Sequence, residues 1–474
     1  MKEHRDLRAL IGSMTGSEKR YFKLNGGSGR FMQLFDAIVK GRDLPKTGKE
    51  NRAVTAKYLT DSILDNLDAF NTKNSITAEL AKQVRHGAVL YNKGLHKQAL
   101  KVFLKAEKIA HQQQEFIQQQ QIYWYMRSLL ARGTEQSNGG LTMEAVLERN
   151  QQAAEEIMLI SRLRFVQYAF QKTVTEMNSV SAETLHELKK LLSSEAMKQV
   201  NEKSGFFSQL TADNIISQYY LLSENFEAAL HQGKKVFDLC CSHKKLLHDR
   251  GKLLVGSANN YMARCFKAKK FEEVKRVLDL LEAEKPNKES VEIMRLETYY
   301  SYLLIYLIAT KQFDDTNLLP IIGKKLNEVG HRMNQAFLML IYSHCSHYAF
   351  FRNDMSAALK WINLYLNHQN KDALAKLLSV AFDFRIIIYY EQNKLDLLEN
   401  MMHLKQDKNS ECNAFSQIRT AVRNFIASEL SQGTQQTANL KMLREDLHKL
   451  KAAGKEDEGF DFFPFDEWVE WKMK

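Results

Sequence analysis

The residues in this chain that most resemble a metal site lie in the segment His344-Cys345-Ser346-His347. His344 and His347 are three residues apart, so one face of a helix could present both imidazoles to a zinc ion. His331 lies upstream, but the sequence specifies no third ligand. We therefore expect a helix in which Cys345 packs inward and the histidines face a groove or solvent, and we predict no metal and no cofactor.

Other patterns of catalytic residues are missing from the sequence. It contains no GxxxxGK[ST] phosphate loop, no HExxH, no GxSxG and no CxxC. Adjacent Cys240 and Cys241 would point about 100° apart on a helix, which makes a poor chelate. Paired carboxylates such as Asp314-Asp315 and Glu155-Glu156 are expected at helix starts or on surfaces, because acid–base catalysis needs carboxyls that face one pocket from different elements. We predict that the protein is not an enzyme.

The composition indicates a helical chain that buries a core. Only 4 prolines and 21 glycines occur in 474 residues, which disfavours loop-rich and all-β folds, and 44% of the residues are hydrophobic. The five cysteines form an odd set without framework spacing, as is typical of a reducing compartment. The longest apolar run, Tyr299 to Ala309, is short of the roughly 20 residues that cross a bilayer. We predict a soluble, cytoplasmic protein that contacts no membrane.

One stretch, His86 to Gln112, shows how the helices are organised. Small residues recur at Gly87, Ala99 and Ala106, and large apolar residues stand between them. The spacing predicts two helices that cross closely and are joined by a tight turn at Asn92-Lys93-Gly94. This pattern resembles a tetratricopeptide repeat, and the resemblance implies a right-handed α-solenoid of helical hairpins, an all-α fold.

Weaker copies of the motif recur toward the C-terminus. Their spacing is 40 to 45 residues where the copies are consecutive, longer than the roughly 34 of tetratricopeptide repeats and closer to HEAT repeats. We predict about eight hairpins over residues 78–453, two of them without the turn motif: 114–132 with 142–159, and 161–177 with 182–200. The residues predicted to start the second helix of each recognisable copy are His96, Phe226, Phe271, Phe313, Met355 and Leu395.

Residues 1–75 are predicted to form a separate helical head. Thr15 and Glu18 have the spacing of a capping box at the start of its second helix. Residues 1–60 contain 13 Lys/Arg and 6 Asp/Glu, so this segment carries a formal charge of +7. A basic head can bind nucleic acid, but it has no clear row of base-reading side chains, and a cap on the array is the preferred interpretation.

Residues 454–474 are predicted to form an aromatic and acidic capping tail. Six aromatic residues lie between Phe460 and Trp471, and a repeat array needs a modified terminal unit to cover its last apolar face. The segment from Met14 to Lys23 and this tail together resemble a group of large helical-repeat proteins from Bacteroidota. That resemblance implies an architecture and no activity.

The tetratricopeptide resemblance implies that the first helix of each hairpin lines a concave groove. The polar residues that it places there are Asn214, Gln218, Asn259, Asn260, Ser343, His347 and Asp383. Asparagine side chains can hydrogen-bond a peptide backbone, although the basic residues of the family's carboxylate clamp are not all present. The first hypothesis is a non-enzymatic scaffold that binds a protein or peptide in this groove. The alternative is a regulator whose basic head binds nucleic acid while the array senses a peptide.

Overall fold

The computed structural model describes residues 2–26, 30–42, 49–72, 75–133, 141–175, 181–367, 375–403, 414–432, 436–452 and 463–473. Every regular element in these ranges is a helix, so the fold is all-α. The chain divides into two compact units, residues 1–257 and 258–474. Each unit is described by itself below. No helix within the described ranges combines the length and apolarity needed to span a membrane.

The first unit opens with four helices that share a small core. They are α1 (Lys2–Ser13), α2 (Gly16–Asn25), α3 (Arg30–Val39) and α4 (Lys49–Thr72). Phe22, Phe35, Leu59 and Ile63 are fully buried in this core. The predicted capping box is confirmed, because Thr15 Oγ1 accepts from Glu18 N at 3.1 Å and Glu18 Oε2 accepts from Thr15 N at 2.7 Å.

The rest of the first unit is built from helices that pack largely in chain order. They are α5 (Ile76–Asn92), α6 (His96–Gln112), α7 (Phe116–Leu130), α8 (Met143–Thr175), α9 (Ala182–Leu192), α10 (Glu195–Gln199), α11 (Phe206–Leu222) and α12 (Phe226–Ser242). Helices α5 and α6, α7 and α8, and α11 and α12 form the closest pairs, while α11 packs directly on α8. In the α5–α6 pair Ala99 and Ala106 are fully buried, and Gly87 lets the ring of Phe103 lie against its backbone.

The predicted break between residues 159 and 161 is wrong. A single helix, α8, runs from Met143 to Thr175. This segment contains neither Gly nor Pro, so no residue in it interrupts the i→i−4 hydrogen bonds. The short helices α9 and α10 pack against α8 in place of a full second hairpin.

The second unit continues with further helices. Helix α13 (Gly251–Lys267) spans the boundary, and it is followed by α14 (Phe271–Ala283), α15 (Glu289–Ala309), α16 (Leu318–Val329), a 3-10 turn (Gly330–Arg332), α17 (Gln335–Phe351), α18 (Met355–Leu366), α19 (Ala375–Glu391), α20 (Leu395–His403), α21 (Ala414–Gln432), α22 (Gln436–Ala452) and α23 (Phe465–Lys472). One large core runs from Leu296 to Val469. Cys412 and residues 460–462 of the tail lie outside the described residues.

Tight turns of one conformation connect many of these helices. A residue with positive φ is followed by a residue whose N–H donates to the carbonyl five positions earlier, which is the Schellman ending of a helix. The residues with positive φ in these turns are Gly94, Gln114, Glu224, Lys269, Lys311, Asn353 and Asn393. After all but Lys311, the next helix begins two residues later.

These turns confirm five of the six predicted starts of a second helix: His96, Phe226, Phe271, Met355 and Leu395. The prediction for Phe313 is wrong, because α16 begins at Leu318. A helix that started at Phe313 would hold Pro320 in its interior, where proline removes a hydrogen bond and clashes with a carbonyl. The observed start places Pro320 in the first turn, where the missing N–H costs nothing.

The C-terminal segment is folded onto the second unit. Phe463, Phe465 and Trp468 are buried there. The ring of Phe463 lies 4.3 Å from that of Phe384 on α19, and Trp468 Nε1 donates to Glu391 Oε1 at 2.9 Å. Helix α23 also packs on α22. The segment therefore covers apolar side chains from several helices.

Candidate functional site

A cavity of about 730 Å³ opens in the first unit beside the long helix α8. One face of α8 supplies residues at intervals of three or four, so they fall on a single stripe of the helix. The α8 residues that line it are Arg149, Gln152, Ala153, Glu155, Glu156, Met158, Leu159 and Arg162. The end of α6, the α6–α7 turn, the start of α7 and residues 199–205 form the remaining walls. The volume lies in the range of ordinary ligand sites.

The wall opposite α8 is fixed by the N-terminus of α11. The first amides of a helix have no partner within the helix, and here two side chains from other elements accept from them. Glu156 Oε1 accepts from Gly205 N and Gln114 Oε1 accepts from Phe206 N, each at 2.8 Å. Ser208 Oγ donates to Glu156 Oε2 at 2.8 Å. The carboxylate therefore meets the positive end of the helix dipole.

Gly205 permits this close approach. A Cβ atom at this position would lie 3.0 Å from Glu156 Oε2 and 3.1 Å from Gln114 Oε1. Any larger residue would therefore push the two capping side chains away from α11. The geometry of this wall depends on a glycine in a connecting segment.

The glutamine-rich segment of residues 112–121 forms the floor of the cavity. Gln119 is buried and its Nε2 donates to Ala110 O at 3.0 Å, while Gln114 accepts a hydrogen bond from the first amide of α11. Phe116 adds an aromatic ring to the lining. The sequence predicts a solvated helix start here. That prediction is wrong for Gln113 and Gln119, which are buried at the α6–α7 turn because the turn itself is packed.

The charged groups of the cavity divide into engaged and accessible ones. Arg149 Nη1 lies 2.8 Å from Glu107 Oε1, and Glu156 is held by α11. Burial, and after it the neighbouring Glu107, raises the pKa of Tyr123 well above its ordinary value, so the phenol beneath this pair stays neutral. Arg162 and Lys203 are exposed at the mouth, and Arg162 Nη1 donates to Gln199 Oε1 over a long 3.4 Å.

The cavity therefore offers amide groups, two cationic side chains and an apolar patch. Gln152, Gln199 and Asn201 can donate to and accept from peptide groups. Arg162 and Lys203 can bind a carboxylate, and Met158 with Leu159 can pack against an apolar side chain. Together these groups can bind a peptide segment through hydrogen bonds, charge and apolar contact.

Of the seven residues predicted to line a groove, four are at least partly exposed and three are buried. Asn214 Nδ2 donates to Leu210 O of its own helix at 2.9 Å, and Asn259 Nδ2 lies 3.3 Å from Asn260 Oδ1. Asn214, Gln218 and Asn259 are partly exposed and Asn260 is exposed. None of the seven lines the 730 Å³ cavity.

The other three of the seven residues are buried in the second unit. Ser343, His347 and Asp383 are each at most 3% exposed, so they do not lie on an open surface in this structure. Asp383 Oδ1 accepts from Arg423 Nε at 2.9 Å, which satisfies a carboxylate inside the core. These positions face inward because the helices that carry them, α17 and α19, are packed on several sides.

His344 and His347 lie together inside the second unit and not in a groove. Their ring centroids are 6.4 Å apart, and the ring of His347 lies 4.8 Å from that of Phe384 and 5.2 Å from that of Phe463. Burial lowers the pKa of His344 to about 4 and that of His347 well below its ordinary value. Cys345 is buried, and burial raises the pKa of its thiol. His331 is exposed, and among the described residues no group of three or more potential ligands could hold a metal ion.

The basic side chains of the head are distributed over its helices. Arg5, Arg8 and Arg20 are exposed, and Lys23 Nζ lies 2.6 Å from Asp36 Oδ1. This distribution does not single out one helix face as a reader of bases. Nucleic-acid binding by residues 1–60 stays a prediction from sequence charge.

Comparison with known proteins adds no assignment: no family model, curated protein or solved structure matches this chain.

Sequence reasoning missed the residues that form the cavity. The sequence predicts surface or helix-start carboxylates at Glu155 and Glu156, but only Glu155 is exposed, and Glu156 caps a helix 49 residues away. Gln114 does the same across 92 residues. Both contacts depend on how the helices pack, which no local pattern encodes. The one available signal was Gly205, a glycine immediately before an apolar helix start, which is typical of a cap.

Proposed function

We propose that this protein is a non-enzymatic scaffold that binds a protein or peptide segment. The observation that carries the proposal is the recurring Schellman turn, which joins successive helices such as α5 and α6, α11 and α12, and α17 and α18, each pair packed together. Repeated pairs of this kind stack into arrays that bind extended ligands along one face. We further propose that the pairs form a right-handed, tetratricopeptide-like solenoid, with Asn214 and Gln218 on the ligand-binding face of the first unit and Asn259 and Asn260 on that of the second.

The cavity beside α8 is the proposed anchoring point for such a ligand. Its amides suit the backbone of an extended peptide, and its apolar patch suits one inserted side chain. The mixed polar, charged and apolar lining favours binding. A cytoplasmic location, which we also propose, is consistent with the unframed set of cysteines in the sequence.

A displayed library of random peptides tests the binding proposal on the full chain. We expect selected peptides to bind the natural protein and to lose binding to Gln152→Trp, because an indole on this face of α8 fills the cavity. Gln98→Trp is the matched control, since Gln98 is exposed on α6 and does not line the cavity. Selected peptides that bind Gln152→Trp as well as the natural chain would remove the cavity from the proposal. A library that yields no binder would remove the scaffold itself.

Solution scattering tests the solenoid. A compact chain of 474 residues has a radius of gyration of about 23 Å. A continuous solenoid is longer and should exceed that value clearly, with a pair-distance distribution skewed to long distances. A measured radius at the compact value would contradict the solenoid and leave the all-α fold unaffected.

A further inference from the structure

Helix α8 has an exposed apolar stripe on the side away from its core. Leu147 is 44% exposed, Met158 52%, Phe165 72% and Tyr168 63%. Together with Gln151, Ala154, Ser161 and Lys172, these residues alternate at intervals of four and three along the helix. That is the spacing of the a and d positions of a coiled coil. We call these eight residues the α8 stripe.

The opposite side of α8 is the one that packs within the unit. Its buried residues are Val146, Ala153, Leu163, Val166 and Phe170. They occupy the b, c and f positions of the same heptads, which face away from a and d. Apolar residues therefore cover two opposite faces of α8. A helix of this kind is normally buried on both, but among the described residues Leu147, Met158, Phe165 and Tyr168 of the α8 stripe are exposed.

The α8 stripe is complementary to a second copy of itself in antiparallel orientation. If a second copy of α8 lies antiparallel with the two-fold axis between Leu159 and Ile160, Leu147 faces the stem of Lys172 and Gln151 faces Tyr168 of the other copy. The small Ala154 then faces the large Phe165, and Met158 faces Ser161. Large residues thus meet small or flexible ones along the whole contact, as knobs-into-holes packing requires.

The charges beside the α8 stripe obey the same symmetry. Beside the α8 stripe, the exposed acidic residues Glu148 and Glu155 precede the axis and the exposed basic residues Arg162 and Arg164 follow it. Arg149, which also precedes the axis, lies on the cavity side of α8 and is paired with Glu107. In the antiparallel register Glu155 and Arg162 occupy e positions that face each other across the pair, once on each side of the axis. A parallel pair would instead bring acid to acid and base to base.

We propose that two copies of this chain associate through an antiparallel pairing of α8, an isologous two-fold dimer. The contact extends from Leu147 to Lys172, which is 26 residues and about 38 Å of helix. Glu155, Met158 and Arg162 lie at the edge of the cavity, so each cavity opens beside the dimer axis. The dimer follows from α8 alone and does not depend on the scaffold function.

A cysteine pair tests the register in the full chain. Leu147→Cys combined with Lys172→Cys should give a disulfide-linked dimer on mild oxidation, above the background of the natural cysteines. Each single substitution should not, because in this register position 147 faces only position 172 of the other copy. The two positions of one chain are about 38 Å apart and cannot join each other. A dimer formed equally by Leu147→Cys alone would overturn the antiparallel arrangement.

Sedimentation equilibrium tests the interface itself. We expect a concentration-dependent dimer whose dissociation constant rises at least about tenfold in Phe165→Asp/Tyr168→Asp, since two exposed rings then leave the contact. Tyr58→Asp is the control, because Tyr58 is 71% exposed on α4. Glu155→Arg or Arg162→Glu alone should weaken the dimer, and the double reversal should restore it. A monomer at all concentrations, or a dimer that ignores these changes in folded variants, would refute the proposal.

Discussion

The buried histidines of the second unit should make it sensitive to acid. A ring N–H of His344 donates to the main-chain carbonyl of Ser301, and His347 is enclosed by the rings of Phe384 and Phe463. Burial disfavours the charged form of both, and a charge on one ring would also oppose a charge on the other. Because Phe463 belongs to the C-terminal segment, protonation of His347 should weaken the packing of that segment on the second unit.

The magnitude follows from the displaced pKa. That of His344 falls from 6.5 to about 4, and each unit corresponds to about 1.4 kcal/mol. Between these values the unfolded chain binds more protons than the folded chain, so stability falls as the pH drops through 6.5 and the loss is complete below 4. For His344 alone the full loss is about 3 kcal/mol, of which about 2 kcal/mol is reached near pH 5. His347 adds a loss of the same sign.

Urea unfolding followed by tryptophan fluorescence measures this effect. Trp361, Trp468 and Trp471 belong to the second unit and Trp124 to the first, so Trp124→Phe restricts the signal to the second unit. We expect the urea concentration at the midpoint of unfolding to be lower at about pH 5 than at about pH 7.5, and the difference should equal the loss of stability derived above.

A comparison of histidine variants decides the cause of that fall. His344→Gln/His347→Gln should lower stability at neutral pH but flatten its dependence on pH, because the titrating groups are gone. The exposed His331→Gln is the control and should keep the full dependence. A midpoint that does not move between these pH values, or a slope that the double variant retains, would refute the reasoning.

Three substitutions test other features by the shift of the urea midpoint at an unchanged slope. Asp249→Asn should lower the free energy of unfolding by about 1–2 kcal/mol, because the Asp249 carboxylate accepts from Ser75 and Thr77 at the start of α5. Burial raises the pKa of Asp249, but these hydrogen bonds lower it by more, so the pKa is lowered overall. The difference between Asp249 and Asn should therefore vanish once acid protonates the carboxylate. Lys269→Gly should stabilise by up to about 1 kcal/mol, because φ is +53° there. Gly87→Ala should cost about 1–3 kcal/mol, because its Cβ would lie 2.6 Å from the ring of Phe103. No change in any of the three would contradict the geometry assigned to that residue.

Local patterns predicted the helices and most of the turns. The capping box at Thr15 and the turn at Gly94 depend on residues within a few positions of each other, and both are present. The starts at Phe226, Phe271 and Met355 were also predictable, although the residue with positive φ before them is not glycine. An aromatic or large apolar residue just after the turn was a better guide than glycine, because it recurs at these three starts whereas, among the confirmed starts, glycine has the positive φ only before His96.

Long-range packing explains what local patterns could not predict. One miss was local: the absence of Gly and Pro around residues 159–161 is a signal that the helix continues, and the predicted break did not use it. Asp383 is a polar residue on a helix and reads as surface, but Arg423, 40 residues later, allows it to be buried. The cavity depends on the same kind of contact, through Glu156 and Gly205. Fold class was therefore accessible from the sequence, and the site was not.

The difference between turns and connections also explains where function would be found. Turns of the Schellman type are satisfied by their own backbone, so they leave few polar groups for other side chains. The N-termini of α5 and α11 instead recruit Asp249, Glu156 and Gln114 from elsewhere in the first unit. These side chains connect separate helices, and the cavity lies where Glu156 and Gln114 contact the start of α11. A substitution in a repeated turn away from the cavity, such as at Glu224, should therefore change stability. A substitution at Gly205, or at Gln114, whose turn lines the cavity, should change the shape of the cavity.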